Sequence, residues 1–184
     1  MRIPSPKPRG HTPLTVLLLA PSVGDDEEIA ESVQRALTAA GVRWSALVPD
    51  TTAPACYHAL VLCGGMGVRE FLDVDAATPG TLRADVVEAI RSAHRAGVWI
   101  GAPCVALAVV LKALEDEVAR GAANRRLVSD GVAVFPDLRV VSTNRPLLGR
   151  VRAEREPLIA QFTATLLGES HERRAVGASL MADP

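Results

Sequence analysis

Cys104 stands where the chain must turn from one regular element into another. Before it, Val98-Trp99-Ile100 is β-branched or aromatic without interruption, the pattern of a strand buried on both faces. After it, Val105 to Leu114 is apolar on nearly every side and holds neither Gly nor Pro, the pattern of a buried helix. Gly101-Ala102-Pro103 between them are small and let neighbouring backbone approach. Strand, tight turn with a nucleophile at its tip, then helix is the mechanical order of a nucleophile elbow. At a helix N-terminus the dipole and the free N–H groups favour a thiolate, so the chemistry expected is nucleophilic attack by sulfur. A Cys–His dyad finds no support. His11 lies in the N-terminal arm, His58 precedes a strand at its wrong end, His94 falls on a polar helix face and His171 lies near the C-terminus. Cys63 beside Gly64 offers a second oxidisable thiol, whereas Cys56 reads as incidental.

The elements that must position Cys104 alternate. Residues 14–20 read as a first strand and residues 21–24 as a loop. The acidic run Asp25-Asp26-Glu27-Glu28 opens a helix, as its positive end requires. Ile29, Val33, Ala36, Leu37 and Ala40 recur at helical spacing until Gly41 stops it. Strands follow over 42–48 and 59–62, the latter running into Cys63-Gly64-Gly65-Met66-Gly67. Residues 82–96 form an amphipathic helix closed by Gly97. Beyond the elbow, 125–128, 132–135 and 138–142 are short strands, the first two joined as a hairpin by Ser129-Asp130-Gly131. Residues 150–167 form the last helix, kinked or started by Pro157. Asn144 and Arg145 either reach the pocket to bind a carboxylate or carbonyl, or form a solvated turn. Such alternation implies an α/β layered fold with a mostly parallel sheet, whose ligands sit at the carboxyl ends of the strands.

Composition agrees. The 184 residues are 48% hydrophobic but only 3% aromatic, so the core is built from Ala, Val and Leu. A net charge of −1 gives no electrostatic reason to expect nucleic acid or an acidic membrane surface. No apolar run reaches the ~18 residues of a membrane span. Three cysteines without paired spacing argue against a disulfide framework and against a metal site, and point to a cytoplasmic protein. The expected organisation is a disordered arm over 1–13, one domain over 14–167 and a tail over 168–184.

Three loops, 21–28, 63–67 and 101–105, in that order resemble those of the ThiJ/PfpI superfamily (the DJ-one group), related in fold to class I glutamine amidotransferases. Val61-Leu62-Cys63-Gly64-Gly65-Met66-Gly67 resembles its strand-then-Pro-Gly-Gly loop, with Cys63 in place of the proline. Ile100-Gly101-Ala102-Pro103-Cys104-Val105-Ala106 resembles its elbow, with Val105-Ala106 where a small residue or His and then Gly is usual. Glu28-Ile29-Ala30-Glu31 is similar to its acidic motif, and Val140-Val141-Ser142-Thr143 to its C-terminal segment. The resemblance implies a flavodoxin-like three-layer sandwich and, by its departures, the isoprenoid-biosynthesis, glyoxalase-like or isonitrile hydratase branches. It implies Glu28 as the carboxyl group beside Cys104, with Asp26, Glu27 and Glu31 open as alternatives. Gly64, Gly65 and the N–H of Val105 would then form an oxyanion hole. The activity implied is a cofactor-independent hydrolase, hydratase or lyase acting on a small carbonyl-type substrate in a homodimer. The alternative is a redox-responsive or protective protein that senses oxidants through Cys104.

Overall fold

The computed structural model describes residues 14–20, 27–46, 57–64, 66–144, 147 and 151–180. The elements in chain order are β1 (Thr15–Leu19), α1 (Glu27–Ala39), β2 (Arg43–Ala46) and β3 (Ala59–Leu62), then a 3₁₀ turn (Met66–Phe71). They continue with α2 (Ala84–Arg95), β4 (Trp99–Gly101), α3 (Ala106–Ala113) and α4 (Glu115–Ala119). The chain closes with β5 (Arg126–Leu127), β6 (Val132–Phe135), β7 (Val140–Thr143) and α5 (Arg152–Leu180). The strands form one sheet in the order β2-β1-β3-β4-β7-β6-β5, parallel from β2 through β7 and antiparallel at β6 and β5.

Period-two alternation assigns each strand residue to a layer. Val16 and Leu18 of β1, Ala59 and Val61 of β3, and Val141 of β7 face one way, against Ile29, Val33 and Leu37 of α1 and Ile159, Phe162 and Leu166 of α5. Leu17, Leu19, Leu60, Leu62, Ile100 and Val140 face the other, against Val86 and Ile90 of α2 and Val109 and Val110 of α3. The result is a three-layer α/β sandwich of the flavodoxin-like kind. Burial of each Leu, Ile or Val on these faces contributes about 1.5–3 kcal/mol.

Two helices stop as their glycines dictate. Gly41 and Gly97 adopt φ of 69° and 67°. Val42 N–H then reaches Leu37 O at 3.0 Å and Val98 N–H reaches Ala93 O at 2.9 Å, the six-to-one bond of a Schellman cap. Each cap hands its chain straight into the next strand.

The last helix departs from expectation. It starts at Arg152, contains Pro157, and runs through Gly168 to Leu180 instead of ending at 167. Gly168 costs a helix only about 1 kcal/mol. Opposing it, Leu166 and Ser170 are buried, Ser170 Oγ donates to Leu166 O at 2.7 Å, and Glu169 accepts from Arg126 at 2.6 Å. The 3₁₀ turn and α4 were not anticipated, and the expected extension of β2 beyond Ala46 lies outside the described residues.

Candidate functional site

The parallel registers bring four strand ends level. Leu19 lies beside Leu62, Val61 beside Gly101, and Gly101 beside Val141. The loops after β1, β3, β4 and β7 therefore leave the same edge of the sheet. Cys104 rises from the loop after β4, half-buried, with φ of 55°. A non-glycine residue in that region is strained by about 1–2 kcal/mol, so neighbouring structure must hold it there.

That structure is the end of β7. Ala102 N–H donates to Val141 O at 2.8 Å. Ser142 Oγ, fully buried, donates to Ala102 O at 2.6 Å. Cys104 N–H donates to Thr143 Oγ1 at 2.8 Å. Three successive β7 residues thus fasten three backbone groups of the turn, two on Ala102 and one on Cys104. From the following loop, Leu147 N–H donates to Cys104 Sγ at 3.5 Å, a main-chain dipole aimed at the sulfur. Sequence reasoning had noted the Val140–Thr143 segment without giving Ser142, Thr143 or Leu147 a part. The signal present was a pair of hydroxyl residues closing an otherwise apolar strand.

Gly101 is set by packing. A Cβ there would lie 2.8 Å from Phe162 Cζ, 2.9 Å from Leu166 Cδ2 and 3.0 Å from Val61 Cγ2. Its absence lets α5 close directly over the strand that carries the elbow. Gly64 is buried after β3, where a Cβ would stand 2.5 Å from Val68 Cγ1 and 3.8 Å from Ala106 Cβ. The β3 loop therefore lies against the first turn of α3. Val105 is the N-cap of α3, with φ of −65° and ψ of −24°. Gly65 falls outside the described residues.

Glu28 sits in the first turn of α1, past the end of β1. Its Oε2 receives Arg155 Nη2 at 2.7 Å, and its side chain is largely exposed. The bond that the structure describes at Sγ comes from Leu147, and no carboxylate contact to Sγ appears among the described residues. Glu31 is exposed and engages Arg35 at 3.3 Å. Asp26 and the Glu27 side chain lie outside the described residues.

One reading changes and one alternative is selected. Cys63 is fully buried, and burial pushes its thiol up to about 12 from an ordinary 9.0, so it is an inert core residue and no oxidisable companion of Cys104. Asn144 forms the solvated turn: it is exposed, its side chain accepts from Arg125, and its N–H donates to Gly131 O at 2.7 Å. Arg145 lies outside the described residues. His58 uses Nδ1 to accept from Thr15 N–H at 3.0 Å, a structural bond at the opposite end of β1.

No protein-family model and no curated protein matches the sequence. Solved structures do match. One is an isoprenoid biosynthesis protein with an amidotransferase-like domain from Ehrlichia chaffeensis, at a TM-score of 0.65 and 14% identity, covering 84% of this chain and 98% of that one. The fold is amidotransferase-like. The VC2308 protein superposes as well, at a TM-score of 0.54 and 16% identity over 95% of both chains. In this amidotransferase-like frame the strand–elbow–helix around Cys104 and the loop at Gly64 meet at one edge of the sheet. None of the described helices is long and apolar enough to cross a membrane, and no group of His, Cys, Asp and Glu that could hold a metal ion occurs among the described residues.

Proposed function

We propose that the protein is a cofactor-independent cysteine enzyme, a hydrolase, hydratase or lyase, whose Cys104 attacks a small electrophilic carbonyl-type substrate. The observation that carries this reading is the elbow itself: a half-buried cysteine at φ 55°, fastened from below by Thr143 and met at its sulfur by the Leu147 N–H. An inert core cysteine has no need of a strained backbone or of a main-chain donor. A sulfur that attacks an electrophile uses both, the bend to present it and the donor to replace water lost on partial burial.

The sulfur lone pair forms a C–S bond to the carbonyl carbon while the C=O π pair moves to oxygen. Main-chain N–H groups of Gly64, Gly65 and Val105 are proposed to receive that oxyanion. Glu28 is proposed as the carboxylate that takes the thiol proton and returns it to the oxygen, supported by its place in the first turn of α1 at the same sheet edge. Hydride then shifts from the hemithioacetal carbon to a neighbouring carbonyl, leaving a thioester on Cys104; water adds to that thioester, the C–S bond breaks and the sulfur recovers its proton as the acid leaves. The test is incubation with methylglyoxal and with isonitriles, wild type beside Cys104→Ser and Glu28→Gln. Consumption by wild type and none by Cys104→Ser is expected; equal turnover by both would refute it.

The Leu147 N–H also favours a second reading, since the same donor would hold an oxygen of a sulfenate or sulfinate on Cys104. Peroxide titration followed by intact mass measurement separates the two. The proposal further includes a cytoplasmic homodimer, to be checked by fractionation and by light scattering.

A further inference from the structure

We propose that Arg155 recognises a carboxylate on the substrate, so that the class of molecule attacked by Cys104 is a small aldehyde or ketone acid with the carboxylate beside its electrophilic carbon. The inference deepens the reading of Cys104 as a nucleophile and rests on it. Arg155 is 7% exposed, an unusual place for a guanidinium. Its Nη2 engages Glu28 at 2.7 Å, yet the Glu28 side chain is 67% exposed and is solvated where it stands. An exposed carboxylate gives little return for burying a cation. The Nε of Arg155 is buried as well and meets no acceptor among the described residues. A guanidinium offers its donors as a planar fork matched to the two oxygens of a carboxylate, and Glu28 occupies one tine of it.

Arg155 lies in the first turn of α5, on the face of the sheet against which Cys104 also packs. Glu28 opens α1 just past β1, and α5 begins after the loop whose Leu147 N–H reaches Cys104 Sγ. Leu158, one turn on from Arg155, packs in the apolar cluster that Cys104 also joins. Arg155 therefore stands at the carboxyl edge of the sheet, between the α1 and α5 ends that flank the elbow.

Alkylation of Cys104 tests this without requiring turnover. Iodoacetate and iodoacetamide differ by one negative charge; in each the thiolate forms a C–S bond as the C–I bond breaks and iodide leaves. Rates are read at Cys104 by peptide mapping. The ratio of iodoacetate to iodoacetamide rates is expected to exceed that of free cysteine by about tenfold, the effect of one charge-assisted hydrogen bond. Arg155→Met should bring the ratio down to the free-cysteine value. If Arg155→Met does not fold, the wild-type ratio alone decides. A wild-type ratio equal to that of free cysteine, with brisk iodoacetamide labelling, overturns the inference and leaves the nucleophile standing. Cys104 unreactive to both reagents removes the nucleophile and the inference together. A ratio restored by adding Glu28→Gln to Arg155→Met would assign the effect to the unpaired Glu28 and also overturn it.

Discussion

Replacing Thr143 by valine keeps the shape of the side chain and deletes the acceptor of the Cys104 N–H. That hydrogen bond is 2.8 Å long and Thr143 is 7% exposed, so water cannot readily stand in for the lost hydroxyl. Leaving a buried N–H unpaired costs about 1–3 kcal/mol. For a chain of this size each kcal/mol moves the melting temperature by about 2–4 °C, so Thr143→Val should melt roughly 2–12 °C lower. The same bond opposes the strain of φ 55° at Cys104, itself worth about 1–2 kcal/mol. Once freed, Cys104 relaxes and its sulfur leaves the Leu147 N–H, and alkylation by iodoacetamide should slow by about tenfold for each 1.4 kcal/mol of lost positioning. Thr143→Ser, which keeps the hydroxyl, should recover most of both. The assays are circular-dichroism melting and alkylation rate at Cys104. A Thr143→Val protein that melts within about 1 °C of wild type and reacts at the wild-type rate refutes the idea that β7 holds the elbow.

Gly101→Ala places a methyl against Phe162, Leu166 and Val61, all fully buried, and should destabilise by about 1–3 kcal/mol by pushing α5 away from β4, read by thermal melting. Glu28→Gln should cost no more than about 1 kcal/mol, because the carboxylate it removes is two-thirds exposed, as measured by denaturant titration. Cys63 should resist iodoacetamide at pH 8 in the folded protein and react only on unfolding, seen by peptide mapping. Its folded thiol titrates above the unfolded one, so the folded state holds its proton longer. Stability is then independent of this group below pH 9.0 and falls as pH rises towards about 12. Cys63→Ala should flatten that alkaline decline, by up to about 1.4 kcal/mol per pH unit.

Much of the fold was legible because its signals are local. The uninterrupted apolar runs at 59–62 and 98–100 became central strands, and Gly41 and Gly97 became helix stops at the expected places. The elbow was legible for the same reason, since strand, turn and helix are consecutive. Partners were not. Nothing near Glu28 in the chain points to Arg155, and nothing near Cys104 points to Thr143, because those contacts exist only once α5 and β7 have packed. Cys63 illustrates a different loss: adjacency to Gly64 placed it at a site loop, but its side chain takes the inward face of the sheet, among Val61 and Val16. The extent of α5 was hidden because Gly168 reads locally as a stop, whereas the buried residues on either side decide otherwise.

The insertion of β7 beside β4 bears on the order in which the turn at Cys104 is fastened during synthesis. The groups that fasten the Cys104 backbone and face its sulfur lie 39 and 43 residues further along the chain. While the ribosome has delivered the cysteine but not those residues, the turn has no clasp. The clasp on Cys104 is thus absent from partial chains and closes only when β7 docks beside β4.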